Sequence, residues 1–167
     1  FPQPSPPFRQ EPLVSTLEAY FQGKKDLFGG LAMERWEKDW ESYLVLHIDF
    51  SLTKYMELTD LTGQLNLFLH RWEKIYGKDE AEKTASERLQ GIILRASEQI
   101  GKQVVVLIDE YDAPLLDSNS DTALQQQLRN EMRKFFSPPQ EVGAVSSLSL
   151  HHRHQQVQPT EHLQRTE

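Results

Sequence analysis

The sequence predicts an α/β layer fold, a parallel sheet flanked by helices, on three observations. Val104-Val105-Val106-Leu107-Ile108 is an unbroken aliphatic run that stops abruptly at Asp109-Glu110-Tyr111-Asp112, the pattern of a strand buried on both faces. Tyr43-Leu44-Val45-Leu46-His47-Ile48-Asp49-Phe50 reads as a second strand. Around these runs lie segments with apolar residues at helical spacing, giving the order helix, strand, helix, helix, strand, helix.

The elements follow in turn. Leu13, Leu17, Tyr20 and Phe21 share one helical face, and Gly23 can end that helix. After the first strand, Leu58, Leu61, Leu65, Leu69, Trp72 and Tyr76 trace a long amphipathic helix closed by Gly77. Ala85, Leu89, Ile92, Ile93, Ala96 and Ile100 trace another, with Gly101 just past its end. The Val104–Asp109 strand follows. Leu124, Leu128, Met132 and Phe135 mark a last helix, which Ser137-Pro138 stops.

Composition divides the chain in three. Phe1 to Pro12 holds five prolines in twelve positions and reads as an aberrant Pro-rich segment, residues 1–12. Residues 13–137 are well patterned. Residues 138–167, rich in Ser, Gln and His, carry no helical or alternating stripe and read as a disordered tail.

With 167 residues, the chain has the size of one domain able to bury a core. A hydrophobic content of 38% and a charged content of 26%, with mean hydropathy −0.60, describe a soluble protein. No apolar run approaches the roughly 20 residues that cross a bilayer, and no signal peptide is visible. No membrane partner is therefore expected. The absence of cysteine rules out disulfides and thiolate metal sites and suits the cytoplasm. A net charge of −7 argues against direct nucleic-acid binding, which rests on phosphate neutralisation.

The chemistry concentrates at the end of the aliphatic strand. In open parallel sheets, ligands bind beyond the carboxyl ends of the strands, and acids there have the arrangement of a Walker B element. Asp109 is the candidate metal ligand, for a hydrated Mg²⁺, and Glu110 the candidate for orienting or deprotonating an attacking water. The bland alternative is an acidic strand end that merely stays solvated. Tyr111 and Asp112 are candidates for positioning the same turn, with Asp112 before Ala113-Pro114 able to cap it, and Asp49 joins them as a possible outer support. His47, Asp49 and Ser51 share one face of a single strand, whereas a Ser–His–Asp triad converges from separate elements; packing explains them better. Trp36, Trp40 and Trp72 read as core or helix-packing aromatics, and Lys24-Lys25 as a solvated helix end. His151-His152-Arg153-His154 resembles a metal-binding tract of adventitious affinity only.

Both strand motifs, together with Ser15-Thr16-Leu17-Glu18-Ala19-Tyr20-Phe21, Gly23-Lys24-Lys25-Asp26-Leu27-Phe28 and Arg71-Trp72-Glu73-Lys74, resemble the predicted AAA-ATPase-like family of bacterial P-loop proteins. The likeness covers about Leu13 to Ser137. Leu44 stands where the family commonly has proline. The resemblance implies a P-loop NTPase-like parallel sheet and ATP hydrolysed with Mg²⁺, using Asp109 for metal and Glu110 for water. Family members often carry a fused nuclease-like effector domain, and nothing of it is present here.

One departure dominates. A P-loop needs a Gly-rich turn with Lys and Ser or Thr opening the first helix. Immediately before Leu13 this chain has Phe8-Arg9-Gln10-Glu11-Pro12, with no glycine before Gly23 and no lysine before Lys24. The genetic code supplies a reason. Read one nucleotide later, with suitable synonymous codons, Phe1 to Pro12 permits FLSRPRRFGKSL, the missing P-loop. The same shift lets Leu148 to Thr166 read FLFITGISKFSQLSIFSEL, which resembles the family's next strand.

Both ends are accordingly expected to be out of frame, leaving an incomplete fold in which the P-loop strand and the strand after Walker B are missing or garbled. The Val104–Asp109 strand should then lack a neighbour on at least one side, and the product should be marginally stable. The expected function is a fragment of an ATPase-like domain, inactive as it stands because the phosphate cradle is absent. Two rivals remain open: an ATP-responsive regulatory module of a larger effector, and a metal-dependent nuclease using Asp109, Glu110 and Asp112.

Overall fold

The computed structural model describes residues 13–137 and the strand at 146–149. The Pro-rich segment and the His151–His154 tract lie outside the described residues. The elements, in order, are α1 (Leu13–Phe21), a 3₁₀ turn (Lys25–Phe28), α2 (Ala32–Trp36), β1 (Leu44–Asp49), a 3₁₀ turn (Phe50–Leu52), α3 (Leu58–Tyr76), α4 (Ala85–Ile100), β2 (Val104–Asp109), α5 (Ala113–Asp117), α6 (Thr122–Phe135) and β3 (Ser146–Ser149). The class is α/β, with a parallel sheet flanked by helices, as the patterning predicts.

The three strands lie in the order β1-β2-β3, all parallel. Leu44 pairs with Val104 through to Asp49 with Asp109, and Val105 to Ile108 pair with Ser146 to Ser149. Strand β2 is therefore central, and its side chains alternate between two cores. Val104, Val106 and Ile108 join Leu46, Ile48 and the apolar stripes of α3, α4 and α6. Val105 and Leu107 face the other way, clustered with Val14 of α1 and the partly buried Leu17, Phe21, Tyr43 and Val45. Burial on both faces is what selects an aliphatic run without alternation. Each such side chain contributes roughly 1.5–3 kcal/mol, so β2 anchors the sheet.

Strand β3 corrects one expectation. It lies in the stretch read as an unpatterned tail, and it gives β2 the second neighbour that the sequence reading denied it. Parallel pairing uses backbone N–H and C=O groups alone, so Ser-Ser-Leu-Ser can serve without any side-chain stripe to announce it.

Capping explains the long helices. Glu57 and Asp60 form a reciprocal capping box on α3, and Thr84 and Glu87 form another on α4, each satisfying otherwise unpaired amides of the first turn. Gly101 ends α4 in the left-handed conformation at φ 67°, which a side chain would strain. Gly23 has φ 70°, and a Cβ there would press on Trp40 O and Ser42 Cβ, both at 3.1 Å; the close approach lets the chain turn from α1 towards β1.

Some details differ from the patterning. Phe50 starts the 3₁₀ turn instead of extending β1. Leu13 and Ile100 sit on the predicted apolar faces yet are exposed, each as the terminal residue of its helix. Trp36 is 80% exposed and is not a core residue; it closes the short α2, which has no buried residue at all. Trp72 stacks on Phe68 at 6.0 Å and packs against the main core. Trp40 sets its ring against Tyr20 and Phe28 at 5.8 and 5.1 Å.

The α3–α4 pair is also joined by charge. Arg88 donates through Nε and Nη2 to the two carboxylate oxygens of Glu73, at 2.6 and 2.9 Å, and through Nη1 to Asn66 Oδ1. The Glu73 side chain is only 6% exposed. The hydrogen bond from Arg88 holds the Glu73 carboxyl below its ordinary value of 4.5, outweighing the opposing effect of burial. A carboxyl lowered in the folded state adds stability that is present above its unfolded value and is lost as pH falls through the folded one. The urea midpoint is therefore expected to drop as pH falls below about 4.5, and Glu73→Gln should flatten that acid limb while lowering stability at neutral pH.

Candidate functional site

The acids stand at the carboxyl edge of the sheet. Asp49 and Asp109 end β1 and β2 in register. By strand alternation both point to the α1 side, the side opposite Ile48 and Ile108. The first turn of α1 reaches the same place: Val14 is buried in one cluster with Leu107, two residues before Asp109 on the same face. A helix N-terminus and two carboxylates thus share one side of the sheet.

Backbone geometry at the tip is unusual. Glu110 has φ 50°, a left-handed conformation that costs a side-chain-bearing residue roughly 1–2 kcal/mol. The turn is held by a hydrogen bond from Glu110 N to Asp109 Oδ1 at 2.9 Å and by Ala113 N donating to Glu110 O at 2.9 Å. Strain retained at a strand end marks functional sites often enough to motivate a test. Glu110→Gly is expected to raise stability by about 0.5–1 kcal/mol in urea melts, relieving the backbone. Glu110→Ala, equally short of the carboxylate, should show no such gain.

The remaining candidates surround this tip. Asp112 is the N-cap of α5, but its side chain makes no capping bond; instead its carbonyl accepts the N–H groups of Leu115 and Leu116 at 2.9 Å. Asp112 Oδ1 is buried and has no hydrogen-bond partner. Tyr111 lays its ring against Phe136 at 5.9 Å, tying the turn to the end of α6. Asp49 Oδ1 accepts the Ser51 N–H at 2.8 Å, so this carboxylate shapes the 3₁₀ turn. His47 Nδ1 lies 3.8 Å from Glu18 Oε2 of α1, and its Nε2 is buried without a partner. His47, Asp49 and Ser51 are not brought into a triad.

The sequence reading missed how the two loops beyond β1 and β2 are fastened together. Asp117 of α5 accepts Lys54 Nζ at 3.0 Å and Tyr55 N–H at 3.2 Å. Tyr55 is fully buried, and its hydroxyl donates to Phe50 O at 2.9 Å. Burial, reinforced by the charges of Asp49, Asp117 and Asp60, pushes this phenol well above its ordinary value. No motif signals a bond between residues more than 60 positions apart.

The donors at the tip are hard carboxylate oxygens. Among the described residues, no three His, Asp or Glu side chains converge to hold a metal unaided. Magnesium commonly relies on one or two carboxylates, with waters and phosphates completing its shell. Asp109, with one oxygen engaged by a single backbone amide, and Asp112, with an unpartnered oxygen, fit that role and no more demanding one.

A family model described as Predicted AAA-ATPase matches residues 8–148. The chain belongs to the predicted AAA-ATPase family. The match takes in β1, β2 and most of β3, and begins just upstream of α1. A relative described as an uncharacterized protein in the vnfD 5′ region of Azotobacter chroococcum mcd 1 is 31% identical over 132 residues, covering 78% of this chain. The aligned region spans 25% of that relative's length. No solved structure matches the chain. Among the described residues of this AAA-ATPase family member, no helix is long and apolar enough to cross a membrane.

Proposed function

We propose that this chain is the Walker B portion of a P-loop ATPase-like domain whose phosphate-binding turn has been garbled by a shift of reading frame. In this reading Asp109 would hold Mg²⁺, and Glu110 would orient or deprotonate the water that attacks ATP. Asp112 and Asp49 would support the turn from behind. Magnesium, when bound, supplies neutralisation of phosphate charge.

The observation that carries the reading is the shared side of the sheet: the first turn of α1 packs beside β2 just below Asp109. A helix N-terminus presents unpaired N–H groups and positive partial charge, the natural seat of a phosphate. A Gly-Lys-Ser turn leading into Leu13 would place its ammonium and amides between that helix and the acids. Arg9-Gln10-Glu11-Pro12 supplies none of this, and Glu11 repels phosphate. The chain as it stands is therefore expected to bind ATP negligibly and to hydrolyse none.

The coding DNA across Phe1 to Leu13 tests the frameshift directly. Codons that spell Gly-Lys-Ser in the neighbouring register support it; codons incompatible with those residues defeat it. Saturable, magnesium-dependent ATP binding by the present chain would defeat the inactivity.

A second reading, ATP as a switch ligand that orders the domain for a fused effector, draws support from the length of the Azotobacter relative, about four times the aligned region. Tight binding without turnover in a frame-restored protein would favour it.

A further inference from the structure

The acids at the carboxyl edge are enclosed by a ring of contacts between two loops. It starts at Asp49, where Phe50 follows in the 3₁₀ turn and its carbonyl accepts the Tyr55 hydroxyl at 2.9 Å. Phe50 and Tyr55 are both fully buried, and at low local dielectric such a bond is strong. The Tyr55 N–H donates in turn to Asp117 Oδ2 at 3.2 Å. Asp117 is the last residue of α5, whose first turn hangs from the tip of β2. Ala113 N–H donates to Glu110 O, and Leu115 and Leu116 N–H donate to Asp112 O, all at 2.9 Å. Asp109, in register with Asp49, closes the ring. A second bridge runs inside it, with the Phe136 ring 6.3 Å from Phe50 and 5.9 Å from Tyr111.

Strain sits at one point of this ring. Glu110 holds φ 50°, a region that a side-chain-bearing residue keeps only when its surroundings over-determine it. The bond from Ala113 holds Glu110 only while α5 keeps its place. That helix is five residues long and fully buries only Pro114, too short to stand by itself. Its far half is fastened at two points: Gln125 Nε2 donates to Leu115 O at 3.0 Å, and the Asp117 carboxylate reaches the loop beyond β1.

We propose that Asp117 is a positioning residue for Glu110: it anchors α5 to the loop beyond β1 and so maintains the left-handed turn in which Glu110 stands. Its bearing on catalysis rests on the reading of Glu110 as the residue that orients the attacking water. The two partners of the carboxylate contribute unequally. Lys54 is 81% exposed in its side chain, and an ion pair so open to solvent adds little. The Tyr55 N–H belongs to a residue locked in the core, so it is the anchor.

A double-mutant cycle on the full chain, read by urea unfolding, tests this. Glu110→Gly should raise the folding equilibrium constant about threefold in the parent chain by relieving the turn. In Asp117→Ala, where the turn has already relaxed, that gain should vanish. Amide exchange at Ala113 should quicken about tenfold beyond any change in global stability. Asp117→Asn keeps an oxygen for the Tyr55 N–H and should retain the gain, as should Lys54→Met. An Asp117 that merely stabilised the fold would lower stability equally in both backgrounds and leave the gain intact, which overturns the proposal. A gain lost in Asp117→Asn as fully as in Asp117→Ala would trace the coupling to charge repulsion and also overturns it. So does a parent chain in which Glu110→Gly brings no gain, or unchanged exchange at Ala113. Should Asp117→Ala fail to fold, Tyr55→Phe cuts the same ring at Phe50 O, and an undiminished gain there is equally fatal. No nucleotide enters these measurements, so their failure is distinct from failure of the ATPase reading, which ATP titration of the frame-restored protein decides.

Discussion

Restoring the shifted reading at both ends should convert a chain that binds no measurable ATP into one with micromolar affinity. The upstream change is small where it matters: Arg9→Gly, Gln10→Lys, Glu11→Ser and Pro12→Leu in the last residues before α1, within the reading FLSRPRRFGKSL. A micromolar site corresponds to about −8 kcal/mol. Most of that must come from phosphate contacts, which explains why a chain retaining its acids but not its cradle is expected to bind so weakly. Isothermal titration calorimetry with ATP and Mg²⁺ reads the result. In the restored protein Gln10→Ala in place of lysine should abolish binding. Glu110→Gln should leave binding intact while lowering turnover by 10²-fold or more, the scale of a lost general base. Asp109→Asn should weaken binding only when magnesium is present. A restored, folded protein that still binds no nucleotide would remove the functional half of the proposal, whatever the family.

The largest stability effect is expected at Arg88. Removing its guanidinium leaves Glu73, 6% exposed in its side chain, without its two hydrogen bonds and leaves Asn66 Oδ1 unpaired. A surface ion pair contributes at most about 1 kcal/mol, and breaking a fully buried one costs 3–5 kcal/mol. This pair borders an open groove lined by His70, Lys78 and Lys83, so Arg88→Ala is expected to cost about 2–3 kcal/mol in urea unfolding. Arg88→Leu combined with Glu73→Leu should recover most of that loss, because no unpaired charge remains. Equal and additive losses for the two single changes would show that the pair carries no coupling.

The parts of the fold visible in the sequence are those with one dominant cause. Strand β2 is legible because burial on both faces demands five consecutive aliphatic residues. Helices α3, α4 and α6 are legible because each buries a single stripe against one face of the sheet, and glycine follows α3 and α4 directly. The short α2 and α5 and the 3₁₀ turns were not predicted as elements, since they bury one apolar residue or none and leave no period to read. Trp36 departs from the pattern for a related reason: a large aromatic side chain is buried only where neighbours enclose it, and the five-residue α2 buries none of its residues. That β2 ends at carboxylates was legible because the aliphatic run stops abruptly at Asp109 and Glu110. The left-handed backbone of Glu110, the unpartnered oxygen of Asp112 and the Asp117 link between loops were not, because backbone torsion and long-range pairing leave no mark on composition.

Residue order alone thus determined the layers, the parallel sheet and the acid-tipped strand, all of them consequences of local pattern and residue type. Only the tertiary structure decided that β2 has a neighbour on each side and that Asp49 and Asp109 stand in register facing α1. Those arrangements depend on backbone hydrogen bonds and on contacts between residues far apart in the chain, and no local pattern encodes either.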